Sequence, residues 1–430
     1  MKPIDIYHGT IVDYYDKSAS NLLDRWQPTT DWLNARARAG FEPYSKSTMS
    51  RTATRLRARD RVGREFEGIN LASQDYLSLS SHPKVLAAVE SALEVYGVHS
   101  AGSAALMGLT DEALRLEQRI ASFVGVDDST VFPTGWGAGF GAIRALVRET
   151  DHVVIDVLAH ACLQEGAQVS TRNVHRYPHC SNEGVRRRLE RIRNEDAGCG
   201  ILVVTESVFS MDSDVPQLGE LQEICRDYGA TLFVDVAHDL GAIGPTGRGY
   251  MEIQGMLGKL DIVMGSFSKT FASNGGFVAS NHPALKLALR YSCGPLTFTN
   301  AISPLQAAIV LQCFDIVESA EGGQRRAQLM KNILALRGGL ISQGFDVLGE
   351  PSAIVPVVLG DNAVSRQMTA HTLKAGGIVN LVEYPAVARN ACRWRCQVMA
   401  DHTMLDIEEF VAIASSARDD VRLADAAVSA

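Results

Sequence analysis

Between residues 129 and 270 short apolar runs alternate with stretches of helical spacing. The runs are Thr130-Val131-Phe132, Val153-Val154-Ile155, Ile201-Leu202-Val203-Val204, Thr231-Leu232-Phe233-Val234 and Ile262-Val263-Met264. They recur at roughly 30-residue intervals, the rhythm of a strand, a crossover helix and a parallel strand. The pattern predicts an α/β fold, a mostly parallel sheet wrapped by helices. Between two of the runs, Leu218, Leu221, Ile224 and Tyr228 fall at helical spacing, and Gly229 closes the segment as a C-terminal cap. Another helix is predicted from Ser81-His82-Pro83, where proline suits the first turn, with Val85, Val89 and Leu93 along one face.

The flanks read differently. Residues 1–66 form an N-terminal arm with an arginine-dense run, Arg51, Arg55, Arg57, Arg59, Arg61 and Arg64. Such a run is a solvated face or a subunit contact, or else a grip on the phosphates of a coenzyme or on an acidic carrier protein. Residues 67–300 are the large α/β domain. Over 301–417, helical patterns at 303–319 and 323–343 precede β-like runs around Ile354-Val357, Ile378-Val382 and Arg395-Met399, which predicts a smaller α+β domain. Residues 418–430 are a tail whose small side chains from Leu423 onward are expected to fray.

Composition narrows the class. A hydrophobic content of 46% with 21% charged residues is that of a soluble globular protein, and a formal net charge of -8 argues against nucleic acid as a partner. No apolar segment approaches the roughly 20 residues of a spanning helix. The start Met1-Lys2-Pro3-Ile4-Asp5 lacks an apolar signal core, so a cytoplasmic protein without a membrane span is expected. The eight cysteines at 162, 180, 199, 225, 293, 313, 392 and 396 include no C-x-x-C pair, which predicts free thiols and no metal site. Cys392 and Cys396 read as small apolar fillers.

The candidate chemistry sits where the strands end. Gly265-Ser266-Phe267-Ser268-Lys269-Thr270-Phe271 places one lysine in a small, hydroxyl-rich turn after the strand Asp261-Ile262-Val263-Met264. Small residues admit a cofactor close to the backbone, hydroxyls bond phosphate oxygens, and a half-buried lysine loses proton affinity and becomes a nucleophile; alternatively, the lysine merely follows the strand and snorkels to solvent. Asp235 ends another strand, with His238 three residues on and the loop Gly244-Pro245-Thr246-Gly247-Arg248-Gly249 beyond. In open α/β sheets ligands bind at that carboxyl edge. A buried aspartate there holds a heteroaromatic nitrogen protonated or, alternatively, caps the next helix.

Taken together these residues resemble the α-oxoamine synthases among the fold-type I pyridoxal-phosphate enzymes, over roughly residues 67 to 415. The resemblance rests on Asn70-Leu71-Ala72-Ser73-Gln74-Asp75-Tyr76-Leu77, Thr134-Gly135-Trp136, His160-Ala161, Glu206-Ser207-Val208-Phe209-Ser210-Met211-Asp212, Asp235 to His238, Ser266 to Lys269, and Arg393-Trp394-Arg395 with His402-Thr403. It implies pyridoxal 5'-phosphate as cofactor, a large cofactor domain and a smaller C-terminal one. Lys269 would be the Schiff-base lysine and proton shuttle, Asp235 the partner of the pyridine nitrogen, and His160 the stacking residue. His238 would bond the cofactor's phenolic oxygen and assist at the thioester carbonyl, with Ser210 nearby. Thr134, Gly135, Trp136, Ser266 and Ser268 would hold the phosphate at a helix start. Thr299 would be donated across a homodimer with shared active sites. Arg395 would grip the substrate carboxylate, its planar guanidinium suiting a bidentate pair, with Gln74 also at the substrate. The alternative for a strand-borne arginine is a structural ion pair, against which the flanking match of His402-Thr403 counts.

The implied reaction is the decarboxylative condensation of an α-amino acid with an acyl thioester, borne by coenzyme A or a carrier protein, to an α-aminoketone. Several positions depart from the family pattern: Ala101-Gly102-Ser103-Ala104 lacks the usual arginine, Gln74 and Ala159 replace asparagines, and Val236 stands where an acid is frequent. They point to an unusual substrate and a specialised biosynthetic pathway. Gly135-Trp136 is similar to autoinducer-type aminoketone synthases, whereas 268–276 and Glu383-Tyr384-Pro385 resemble serine palmitoyltransferases. An aminotransferase of the same fold, and a scaffold without cofactor, remain as alternatives that product analysis and colour separate.

Overall fold

The computed structural model describes residues 3–42 and 44–429, and side chains as far as residue 423. In chain order the strands are β1 (Ser47–Thr48), β2 (Arg55–Arg59), β3 (Glu65–Asn70), β4 (Asp128–Phe132), β5 (His152–Asp156), β6 (Val174–Tyr177), β7 (Ile201–Glu206), β8 (Thr231–Asp235), β9 (Ile262–Ser266), β10 (Gly276–Ser280), β11 (Asp346–Val347), β12 (Ile354–Gly360), β13 (Gly377–Ile378), β14 (Leu381–Val382) and β15 (Cys392–Gln397). They divide between two compact units. One comprises Met1–Gln74, Met211–Ser213 and Gln328–Ala430, the other Asp75–Ser210 and Asp214–Ala327.

The second unit holds a seven-stranded sheet in the order β4-β10-β9-β8-β7-β5-β6. From β6 to β9 every pairing is parallel, and β10 runs antiparallel to both β9 and β4. All five predicted runs are strands. β7 is buried at all of its positions, as expected of a parallel strand covered on both faces. Two strands escaped the sequence pattern. β6 (Val-His-Arg-Tyr) is a short, half-exposed edge, and β10 opens on a glycine just after a turn, so neither carries a clear apolar period. Helices Gly135–Leu146 and Ala161–Ser170 contribute Ala138, Ala142, Ile143 and Leu163 to a core shared with Phe132, Ile155, Val204 and Met264.

The helix Leu218–Asp227 forms where predicted, and Gly229 follows it with φ +60°. The helix Pro83–Tyr96 also forms, its N-terminus capped by His82 Nδ1, which accepts from the Lys84 N–H at 3.3 Å. Its buried residues, however, are Val85 and Ala92, while Leu93 lies 45% exposed. The buried seam follows a seven-residue step, which rotates Leu93 out of the expected face.

The first unit carries two four-stranded sheets, β1-β2-β3-β13 and β11-β12-β15-β14. Along β2 burial alternates, with Leu56 and Ala58 inward and Arg55, Arg57 and Arg59 outward. The outward arginines meet carboxylates of their own unit: Arg55 pairs with Asp406 at 2.8 Å and with Glu409, and Arg57 and Arg59 share Glu65. On β15 the same alternation sets Cys392, Trp394 and Cys396 on one face and Arg393, Arg395 and Gln397 on the other, all buried. The two cysteines are the apolar fillers the sequence suggested, and all eight cysteines are free. The helix Met404–Ser429 takes in most of the expected tail. Ala430, Met1, Lys2 and Pro43 lie outside the described residues. Among those described, no helix is long and apolar enough to cross a membrane.

Deep in the first unit, Glu383 receives Arg36 at 2.9 Å and Arg366 at 2.5 Å, all three side chains at most 4% exposed. Both guanidinium groups also stack over the Trp32 ring. Removing the shared carboxylate strands two buried cations. Glu383→Ala is therefore expected to cost about 3–5 kcal/mol in urea unfolding. Arg57→Ala, at a solvent-exposed pair, should change stability by no more than about 1 kcal/mol. Equal effects would contradict this account of the unit's core.

Candidate active site at the carboxyl edge of the sheet

Parallel strands all present their carboxyl ends to one edge, and the chemistry-bearing residues of the second unit collect there. β7 ends on Glu206, β8 on Asp235 and β9 on Ser266, three residues before Lys269. β5 leads through Asp156 to His160, and β4 leads to Thr134 and Gly135. A cavity of about 240 Å³ at this edge is lined by Thr134, Gly135, Trp136, His160, Asp235, His238, Ser266, Ser268 and Lys269, together with Cys162, Glu206, Ala237, Met264, Asn274 and Gly275.

Thr134 caps the helix Gly135–Leu146, its hydroxyl accepting the Gly137 N–H at 2.9 Å. The first turn of that helix offers backbone N–H groups to an anion. Gly135 is needed there because a Cβ would lie 2.4 Å from Ser266 Oγ. Ser266 and Ser268 hydroxyls stand 2.8 Å apart beside it. Glycine, two hydroxyls and a helix start together fit a phosphate group.

Asp235 is 6% exposed, and its Oδ1 accepts the Ala237 N–H at 2.9 Å. Burial raises its pKa, against the opposing pull of Lys269 and His160. A buried carboxyl in this state gains from a positively charged ring nitrogen. Lys269 itself is half-buried, as its place after the strand suggested. His160 caps the helix Ala161–Ser170: its Nδ1 accepts the Cys162 N–H at 3.3 Å, and its ring lies edge-on to Trp136 with centroids 6.0 Å apart. The cavity thus offers a flat polar ring an anion cradle at one end, a carboxyl at another, and an amine and an imidazole beside it. The residues fit pyridoxal phosphate.

Not every expected residue lines this cavity. Ser210 is buried in the same unit but is not among the lining residues. Thr299 is exposed, its hydroxyl donating to the Pro295 carbonyl at 2.6 Å. Arg395 and Gln74 belong to the first unit. There the Arg395 N–H, in mid-β15, donates to the Asn380 carbonyl at 2.9 Å. His402 and Thr403 are structural: His402 Nδ1 accepts the Met399 N–H at 2.9 Å, its Nε2 faces the Asn70 carbonyl at 3.2 Å, and burial lowers its pKa to about 4. Thr403 caps the last helix through Asp406.

Two residues within the recognised motifs gain roles from the structure alone. The fully buried Tyr76 places its hydroxyl 3.0 Å from His238 Nδ1. Glu206 Oε1 accepts the His160 N–H at 2.6 Å. The signal for Glu206 was available, since it ends a strand as Asp235 does. Behind them, buried Asp239 takes hydrogen bonds from the Ser207 hydroxyl and the Tyr250 N–H, both at 2.7 Å, and burial pushes its pKa up to about 7.

Asp156, at the end of β5, is completely buried and bonded at 2.9 Å to His179 Nδ1, while His179 Nε2 meets Asp214 at 3.0 Å. Burial opposes charge on His179, but the hydrogen bonds and charges of Asp156 and Cys180 prevail and raise its pKa from 6.5 to about 10. The folded value exceeds the unfolded one, so the stabilisation is complete below pH 6.5 and is lost as pH rises toward 10. Urea midpoints measured across that window should fall with pH in the parent protein, and His179→Gln should flatten this component. An unchanged slope would show that the imidazolium is not the cause.

The model of the family "aminotransferase class I and II" matches residues 67–413. The chain is 37% identical to an 8-amino-7-oxononanoate synthase of Geobacter metallireducens over 81% of this chain and 88% of that one. It is 36% identical to a serine palmitoyltransferase of Sphingomonas paucimobilis, over 81% and 82% of the two chains. A serine palmitoyltransferase structure holding pyridoxal phosphate superposes with a TM-score of 0.87 at 32% identity, covering 93% of this chain and 99% of the other. The chain belongs to the aminotransferase class I and II family, within its α-oxoamine synthase branch, and is a pyridoxal-phosphate-dependent acyltransferase of fold-type I.

Proposed function

We propose that this protein condenses an α-amino acid with an acyl thioester, releasing carbon dioxide and free thiol and yielding an α-aminoketone. The single observation that carries the residue assignments is the gathering of Lys269, Asp235, His160 and His238 around one cavity at the sheet edge. When bound, pyridoxal phosphate supplies the electron sink that stabilises negative charge at the amino acid's α-carbon. Lys269 Nζ would hold the cofactor at its aldehyde carbon until the amino acid takes that place, and the freed amine would then move the amino acid's α-proton. Asp235 would keep the ring nitrogen protonated, and His160 would stack on the ring. His238, oriented by Tyr76, would bond the phenolic oxygen and be available to the thioester carbonyl. Gly135, Trp136, Ser266 and Ser268 would bind the phosphate, with Thr134 capping the helix that presents it. Ser210 supports the phenolic side. Arg395 grips the amino acid's carboxylate, and Gln74 shapes the same subsite.

A homodimer with shared sites is part of this reading. Its support is an exposed apolar cluster: Phe298 (87% exposed), Leu106 (85%) and Met107 (90%). The two segments bearing them are tied by the Ser103–Asn300 bridge and by the Ala301 N–H on the Gly102 carbonyl. Thr299 lies beside Phe298, where a neighbouring subunit would meet it. The ion pairs of Arg55, Arg57 and Arg59 with carboxylates of their own unit favour a solvated face over a grip on coenzyme phosphates. Departures at Gln74, Ala104 and Ala159 favour an unusual substrate in a specialised pathway. Free thiols throughout suit a cytoplasmic setting.

Visible spectra of the purified, cofactor-loaded protein, titrated with a panel of L-amino acids and then with acyl thioesters, test the reaction. Carbon dioxide and thiol released in step support it, whereas a ketoacid product would make the enzyme an aminotransferase. Borohydride reduction of the loaded protein should fix the cofactor on the peptide containing Lys269, and Lys269→Ala should abolish the adduct. An adduct mapped elsewhere would overturn the assignment. Arg395→Ala should leave cofactor binding intact while weakening, by about tenfold or more, the affinity for whichever amino acid shifts the spectrum, as expected for loss of a desolvated charge partner. Unchanged affinity would remove Arg395 from the substrate site.

A further inference from the structure

β7 and β8 run parallel with Glu206 and Asp235 in direct register, so the two carboxyl-bearing residues sit side by side at the strand ends, about 4.8 Å apart along the hydrogen-bonding direction. Both line the cavity, and they are 2% and 6% exposed. Two like charges in one buried site do not both ionise. The neighbours decide which of the pair keeps a proton. Asp235 has Lys269 and His160 acting in favour of its charge and accepts the Ala237 N–H. Glu206 faces two further carboxyl groups, Asp235 and the fully buried Asp156 of β5. In its favour it has the His160 N–H and a weaker influence of Lys269. Cys162, also close by, has its thiol pushed far up by burial and stays neutral, and buried Asp239, its own pKa raised to about 7, is a further carboxyl neighbour of Asp235. His238, also at the cavity, is turned toward Tyr76.

We propose that Glu206 is a positioning residue kept as the neutral member of a carboxyl pair, so that the pair's negative charge rests on Asp235. The proposal rests on the reading of this cavity as the pyridoxal-phosphate site. Its consequence is twofold. The ionised partner is the one that would face the cofactor's ring nitrogen, and no second negative charge from Glu206 would compete for that proton. The neutral acid also accepts the His160 backbone N–H at 2.6 Å, which anchors the start of the helix Ala161–Ser170 and with it the imidazole expected to stack on the ring. Glutamine reproduces both properties, being uncharged and carrying an acceptor oxygen at the same reach. Leucine fills the volume and accepts nothing.

The test compares the parent protein with Glu206→Gln and Glu206→Leu by infrared spectroscopy at pH 7, before and after loading with pyridoxal phosphate, and by spectrophotometric titration with pyridoxal phosphate. The parent-minus-Gln difference spectrum should contain a protonated carboxylic acid carbonyl band and no carboxylate band. Glu206→Gln should bind pyridoxal phosphate within about threefold of the parent with the same absorbance maximum, and Glu206→Leu about tenfold more weakly with a displaced maximum, the effect of one lost buried hydrogen bond. A carboxylate band in the difference spectrum overturns the charge assignment. Equal binding by the Leu and Gln variants overturns the positioning role. Should Glu206→Leu fail to fold, the Gln variant decides: a binding loss beyond about tenfold, more than one neutral hydrogen bond explains, overturns the proposal. A parent protein that shows the acid band but takes up no pyridoxal phosphate would defeat the proposed function while sustaining the charge assignment, so the two failures are distinct.

Discussion

A carboxyl group buried at the end of a parallel strand is costly unless a positive group faces it, and the second unit is arranged around that cost at Asp235. Its neighbours in the sheet determine what can answer it. β9, on one side, delivers Lys269 from the turn that follows it, and β7, on the other, delivers Glu206. β5, next in order, leads to His160. The site is therefore a property of strand order as much as of residue identity. A permuted order would keep the same residues and lose their mutual electrostatics.

Close backbone approach is the second constraint. A Cβ on Gly135 would meet Ser266, one on Gly276 would lie 2.7 Å from the Gly135 Cα, and one on Gly265 would lie 2.4 Å from Phe277. Three glycines thus let the helix start, β9 and β10 converge at one point, where a phosphate can be held by backbone N–H groups and hydroxyls. Because β10 is antiparallel to β4 and β9, its first residue, Gly276, stands opposite Phe132 and Ser266. The antiparallel strand closes the cradle from the side that the parallel strands leave open.

Electrostatic organisation in the first unit follows a different rule. The arginines of β2 are solvent-facing and share carboxylates within the unit, whereas Arg36 and Arg366 are buried and depend on the single carboxylate of Glu383. Glu383 belongs to the Glu383-Tyr384-Pro385 stretch that resembles serine palmitoyltransferases. Its role in this fold is to neutralise the core. Family-typical residues are thus of two kinds, those that face chemistry and those that hold the frame, and His402 is of the second kind.

Local pattern alone determined much of this protein. Apolar β-rich runs at crossover spacing dictate strand, helix and parallel sheet, because a strand covered on both faces must be apolar along its length. The hydroxyl-rich turn around Lys269 and the aspartate closing a strand are equally local, and the ordered series of motifs made the family legible. Short or edge strands such as β6 and the glycine-led β10 were not legible, since their pairing is set by neighbours and not by their own period. The exposure of Leu93 depended on helix rotation against the core. Above all, the Glu206–Asp235 register, the Tyr76–His238 bond and the Arg36–Glu383–Arg366 triad join residues 29, 162, and up to 347 positions apart. Sequence determines which groups are present and which strand they end, but only tertiary structure brings their charges within range, because electrostatic coupling depends on distance and burial.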